Sequence, residues 1–137
     1  MALKDSKLIS LSEIEGADSP HRKQIDRALQ ARKEALKYVK DVSQLAEFMG
    51  GRVEKLGIGE DWAVSKEIFP GVRVYFVFNR ADAELPGNLK VLFSGDRLRM
   101  MKGEDLASFI ILYLIHMLRF VRDSNPDTKL PEVCYRV

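Results

Sequence analysis

EDLASFIILYLIHMLRFVR, residues 104–122, carries the clearest periodic signal in the chain. Leu106, Phe109, Ile110, Tyr113, Leu114, Met117, Leu118 and Val121 recur at the i, i+3, i+4, i+7 spacing of one α-helical face. Glu104 and Asp105 put negative charge at the positive end of such a helix. Arg119 and Arg122 put positive charge near the other end, and Pro126 bars continuation. The opposite side is not polar: Ile111, Leu112 and Ile115 stand among Ser108, Arg119 and Arg122. A helix apolar around most of its circumference packs on more than one side. Its second side is covered either by the N-terminal half of the same chain or by another molecule.

The segments before it change period from 3.6 to two. Residues 52–56, 61–68, 72–78 and 89–93 read as strands, with a short fifth at 98–101. Val72-Arg73-Val74-Tyr75-Phe76-Val77-Phe78 is the strongest, rich in β-branched and aromatic types and apolar enough for a central place. Pro70-Gly71 and Ser94-Gly95-Asp96 supply turns, and residues 79–88 a longer loop. Short links between successive strands favour an antiparallel meander.

Residues 20–49 read as one long helix. Ser19-Pro20 starts it and Gly50-Gly51 ends it. Ile25, Ala28, Leu29, Leu36, Val39, Val42, Leu45 and Ala46 form its stripe, with Arg32 set inside it as a side chain that buries its stem and frees its head. Arg22, Lys23, Arg27, Lys33, Lys37 and Lys40 crowd the other side, in part balanced by i,i+4 partners such as Arg22–Asp26 and Lys37–Asp41. A solvated basic face is the expectation, and an RNA-docking strip the weaker reading. Residues 1–18 form an arm whose pattern fits an edge strand or a capped helical turn. Residues 19–123 form one domain, and 124–137 a tail able to add an edge strand at 133–137.

A chain of 137 residues is one domain by size, with enough length for a substantial core. A net charge of only +2 gives no global field for nucleic acid or membrane. The single cysteine, Cys134, excludes an intrachain disulfide framework and fits a reducing, cytoplasmic setting as an inert thiol. The N-terminus has no apolar signal-peptide core, and the last helix has too short an apolar run to span a bilayer. No GxGxxG, P-loop, GxSxG or HExxH occurs, so no cofactor and no reaction is assigned. His21 reads as solvated in a first helical turn, and His116 as a hydrogen-bonded core or interface residue.

The acidic loop ends are the remaining polar feature. Glu60-Asp61, beside Trp62, then Asp82 and Glu84, and finally Glu104-Asp105 all fall at ends of the sheet region. If two of these loops meet, their carboxylates suit a hard divalent cation, with Trp62 as core or pocket wall. Solvation and the helix dipole account for the same residues without a ligand.

Trp62, then Phe69-Pro70-Gly71-Val72, Asp82-Ala83-Glu84-Leu85-Pro86, Leu92-Phe93 and Glu104-Asp105-Leu106 together resemble an uncharacterised family of small proteins from anaerobic bacteria and archaea. The resemblance spans roughly residues 45–120. Some relatives carry a cysteine-rich iron–sulfur segment that has no counterpart here, and the family implies no activity.

The fold expected is α+β: a two-layer sandwich of four or five antiparallel strands with a long N-terminal and a long C-terminal helix on one face. The function expected is a non-enzymatic interaction module that forms a homodimer through Ile111, Leu112 and Ile115, with room for a further protein partner. The alternative is a small-molecule or cation-binding protein, or an enzyme, using Glu60, Asp61, Trp62, Asp82, Glu84, Glu104 and Asp105.

Overall fold

The computed structural model describes residues 8–16 and 18–137. Four strands, β1 (Arg52–Glu54), β2 (Trp62–Phe69), β3 (Val72–Asn79) and β4 (Asn88–Ser94), form an antiparallel sheet in the order β1-β2-β3-β4. The α-helices among the described residues are α1 (Leu11–Glu15), α2 (Pro20–Arg32), α3 (Val42–Met49) and α4 (Gly103–Ser124). The fold is therefore α+β, with the meander and the long C-terminal helix that the sequence predicts. No described helix is long and apolar enough to cross a membrane.

Register explains why β3 is apolar almost throughout. Trp62, Val64, Val74, Phe76, Phe78, Leu89, Val91 and Phe93 share one face and a single core with the buried side of α4, including Leu106, Ile110, Leu114, Met117 and Leu118. Tyr75 and Val77 point the other way, where they are buried with Ala63 against Leu8, Leu56 and Leu92. A polar row runs across that second face. Arg73 Nη1 donates to Ser65 Oγ at 2.8 Å, Ser65 Oγ donates to the Glu54 carboxylate, and Glu54 pairs with Arg52.

The long N-terminal helix is broken into three. After α2 the chain makes a 3-10 turn at Ala35–Tyr38, passes through extended Val39, and restarts as α3. Length is the reason: thirty residues of straight helix would run about 45 Å, whereas an eight-residue strand covers only about 26 Å. The break lets Leu36, Val39, Leu45 and Ala46 all reach the core. Asp41, expected to pair with Lys37, instead caps α3, its Oδ1 accepting the Gln44 N–H at 3.2 Å. The start and stop are as the sequence predicts. Ser19 Oγ accepts the N–H groups of His21 and Arg22 beside Pro20, and Gly50 closes α3 in the left-handed region at φ 72°.

Three other expectations are corrected. The fifth strand at 98–101 is a 3-10 turn, Leu98–Met100, that plugs Leu98 into the core. The tail makes a second such turn, Glu132–Tyr135, rather than an edge strand, and buries Leu130 and Cys134 in the same core. Burial pushes the Cys134 thiol up, as suits an inert cysteine. His21 is not free in solvent: its Nδ1 lies 3.0 Å from Glu15 Oε1. The arm does both things its pattern allows. Ile9 bridges Phe93 as an edge residue, and Ser10 then caps α1, donating its N–H to the Glu13 carboxylate. The portion of the arm over residues 1–7 lies outside the described residues.

Candidate functional site

The predicted acidic residues divide between the two ends of the sheet. Asp61, Trp62, Asp82 and Glu84 stand where β2 begins and β3 ends, whereas Glu104 and Asp105 open α4 beside the β2–β3 turn. An eight-residue strand separates the groups, about 26 Å. No joint site forms from both. Among the described residues no three His, Cys, Asp or Glu side chains are placed to hold a metal ion.

At the first end the carboxylates organise backbone. Glu60 accepts the N–H groups of Leu56 (2.6 Å), Ile58 (2.9 Å) and Gly57 (3.3 Å), which closes the β1–β2 loop upon itself. The Leu56 amide, first among these donors, holds the Glu60 carboxyl below the usual carboxylate range. Asp61 accepts the Arg80 N–H and so pins the exit of β3 to the entry of β2. Asp82 accepts the N–H groups of Leu85 (2.7 Å) and Glu84 (2.8 Å), forming the turn of the β3–β4 loop, and those two donors lower its pKa. Glu84 is exposed and enters this turn through its backbone. Trp62 is core, its ring stacked on Phe78 with centroids 5.0 Å apart.

Those pinned loops shape a cleft in two lobes, of about 430 and 630 Å³, that share Lys33, Arg80 and Gly87 as walls. The smaller lobe adds Lys37, Tyr38 and Phe78; the larger adds Asp61, Asp82 and Asn88. Lys33 Nζ donates to the Gly87 carbonyl at 3.3 Å, tying the helical layer to the loop. Lys37 Nζ sits 5.5 Å from the centre of the Tyr38 ring. Arg80 had no sequence signal beyond its place directly after β3. Lys33 and Lys37 are visible in the basic face of residues 20–49, but only the break after Arg32 sets them against the loop.

At the other end a hollow of about 510 Å³ is lined by Phe69, Arg97, Met100, Met101, Asp105 and Phe109. Phe69 is 50% exposed and Met100 80%. Farther along α4, Leu112 is 46% exposed, Ile115 is half-buried, and Ile111 packs onto the core. The apolar back of α4 is thus only partly covered by the described residues.

A family model, DUF3786, a domain of unknown function, matches residues 2–114, which takes in the sheet and the first half of α4. No curated protein and no solved structure matches the chain. The match covers most of the molecule and agrees with the likeness to an uncharacterised family drawn from Trp62, the acidic loop and the start of α4. The chain belongs to the DUF3786 family.

Proposed function

We propose that this protein is a non-enzymatic interaction module that pairs with a second copy of itself through the hollow at Phe69 and the outer stripe of α4. The observation that carries the reading is the exposure of Phe69, Met100 and Leu112 around one hollow and one helix edge. Exposed apolar side chains gathered in one place mark association surfaces, and methionine adapts its shape to a partner at little cost. The rim supports a like partner, because it carries one cation, Arg97, and one anion, Asp105. A surface with both signs can pair with a copy of itself across a twofold axis, where a surface of one sign would be repelled.

Sedimentation velocity on the wild type and on Leu112→Glu tests this. Leu112 is exposed, so the substitution leaves the core intact, while Ile111→Glu would disturb packing as well. A wild-type dimer at tens of micromolar that becomes monomer in Leu112→Glu, with an unchanged melting temperature, is expected. A monomeric wild type, or a dimer indifferent to the substitution, would sink the reading.

A further inference from the structure

The cleft at the opposite end of the sheet from the Phe69 hollow holds three cations that form no ion pair among the described residues. Lys33, Lys37 and Arg80 line its smaller lobe, and none of them is within ion-pair distance of a carboxylate among the described residues. Lys33 is bound only to a carbonyl, Lys37 only faces a ring, and the Arg80 guanidinium makes no hydrogen bond among the described residues. Of the acids around the two lobes, Asp61 accepts the backbone N–H of Arg80, Asp82 accepts two N–H groups of its own turn, and Glu34 is exposed and within ion-pair distance of none of the three. Three like charges around one concave wall repel each other, and a small dianion seated among them converts repulsion into charge-assisted hydrogen bonds. The same lobe has an aromatic wall, lined by half-exposed Tyr38 and buried Phe78. Polar groups converging on an aromatic floor are the usual make-up of a small-molecule site.

We propose that this cleft binds a small phosphate monoester, with the phosphate held by Lys33, Lys37 and Arg80 and the organic body laid against Tyr38. Arginine supplies the planar fork that matches phosphate oxygens, and the two lysines supply movable point charges. A compact ester suits the cleft better than a nucleic-acid strand. Glu34, Asp61 and Asp82 stand around its lobes as exposed carboxylates, so a backbone continuing past the first phosphate runs into negative charge. The smaller lobe, about 430 Å³, lies toward the lower end of the range of small-molecule pockets, which suits a compact ester.

Titration calorimetry at low salt with phenyl phosphate, inorganic phosphate and a twelve-residue oligouridylate tests the proposal on the full chain. Wild type is expected to bind phenyl phosphate at one site and inorganic phosphate more weakly. Arg80→Gln and Lys37→Gln are each expected to weaken phenyl phosphate at least tenfold, while Lys40→Gln, outside the cleft, leaves it unchanged. All three positions are exposed, so folding is not at issue. Absence of saturable phenyl phosphate binding overturns the proposal. So does equal weakening by Lys40→Gln, which marks a diffuse basic face, and so does tighter binding of the oligonucleotide than of the ester, which marks a strand-binding surface.

Discussion

Glu15 joins three parts of the molecule with one carboxylate. Its Oε1 accepts Ser19 Oγ at 2.6 Å and faces His21 Nδ1 at 3.0 Å, while Oε2 accepts the Gly103 N–H at 2.9 Å. It therefore places a negative charge at the N-terminal ends of both α2 and α4, where unpaired N–H groups and the helix dipole favour it. The Ser19 hydroxyl, then His21, hold its pKa below the ordinary glutamate value. A carboxyl whose folded pKa is depressed stabilises the fold above its unfolded pKa of about 4.3, and that contribution fades as pH falls through the folded value. Glu15→Gln is expected to cost about 1–2 kcal/mol at pH 7 by removing the charged cap. Its melting temperature should fall less steeply than that of the wild type between pH 5 and pH 3. Thermal melts across that range check it, and parallel curves would refute the linkage. Gly103 belongs to the same device, because a Cβ there would strike the Glu15 carboxylate. Gly103→Ala should therefore destabilise the wild type more than it destabilises Glu15→Ala. Neither residue was legible as a pair: 88 positions separate them, and the sequence shows only a short acidic turn and a glycine before a helix.

At the scale of elements, the sequence reports what is local and misses what the rest of the molecule imposes. Ser19-Pro20 and Gly50 marked true helix boundaries, and period-two runs marked all four strands to within a few residues. The break between α2 and α3 was invisible to periodicity, because Leu36 and Val39 continue the apolar stripe even where the backbone leaves the helix. Asp41 with Gln44 three residues on was the available signal, since an acceptor followed by that spacing reads as an N-cap. The 3-10 turns at Leu98–Met100 and Glu132–Tyr135 were misread for a related reason, as short apolar runs that pack one side chain inward look alike in either geometry. Asp41 now carries a testable load. Asp41→Ala removes the acceptor for Gln44 N–H and should cost about 1 kcal/mol, lowering the melting temperature by about 4 °C in a domain of this size. Asp41→Asn should restore most of the loss. Scanning calorimetry checks both, and an unshifted Asp41→Ala transition would show that packing of Leu45 and Ala46, not the cap, restarts the helix.

For the whole molecule, the sheet sets two ends apart and gives each a different chemistry. The cleft end gathers Lys33, Lys37 and Arg80 around pinned loops, and the hollow end gathers Phe69, Met100 and Phe109 beside α4. The sequence displayed the acidic residues of both ends but not their separation, which depends on strand length and register. It displayed the apolar back of α4, where Ile111 is half-buried against the core, Ile115 is half-buried and Leu112 is 46% exposed. The proposed twofold pairing at the hollow end makes a demand on charge that apolar contact does not. If Arg97 meets the partner's Asp105 across the axis, twofold symmetry repeats the pair, so one substitution alters two pairs at once. Arg97→Asp and Asp105→Arg should each raise the dimer dissociation constant at least tenfold by opposing like charges, about 1.4 kcal/mol. The double swap restores opposite signs and should return the constant to within about threefold of the wild type. Asp105→Arg also removes an anion from the start of α4, about 0.3–1 kcal/mol of helix stability, which a melting curve reads separately from association. Sedimentation equilibrium on the four proteins decides the matter: a double swap no tighter than the weaker single one means that Arg97 and Asp105 do not meet across the axis.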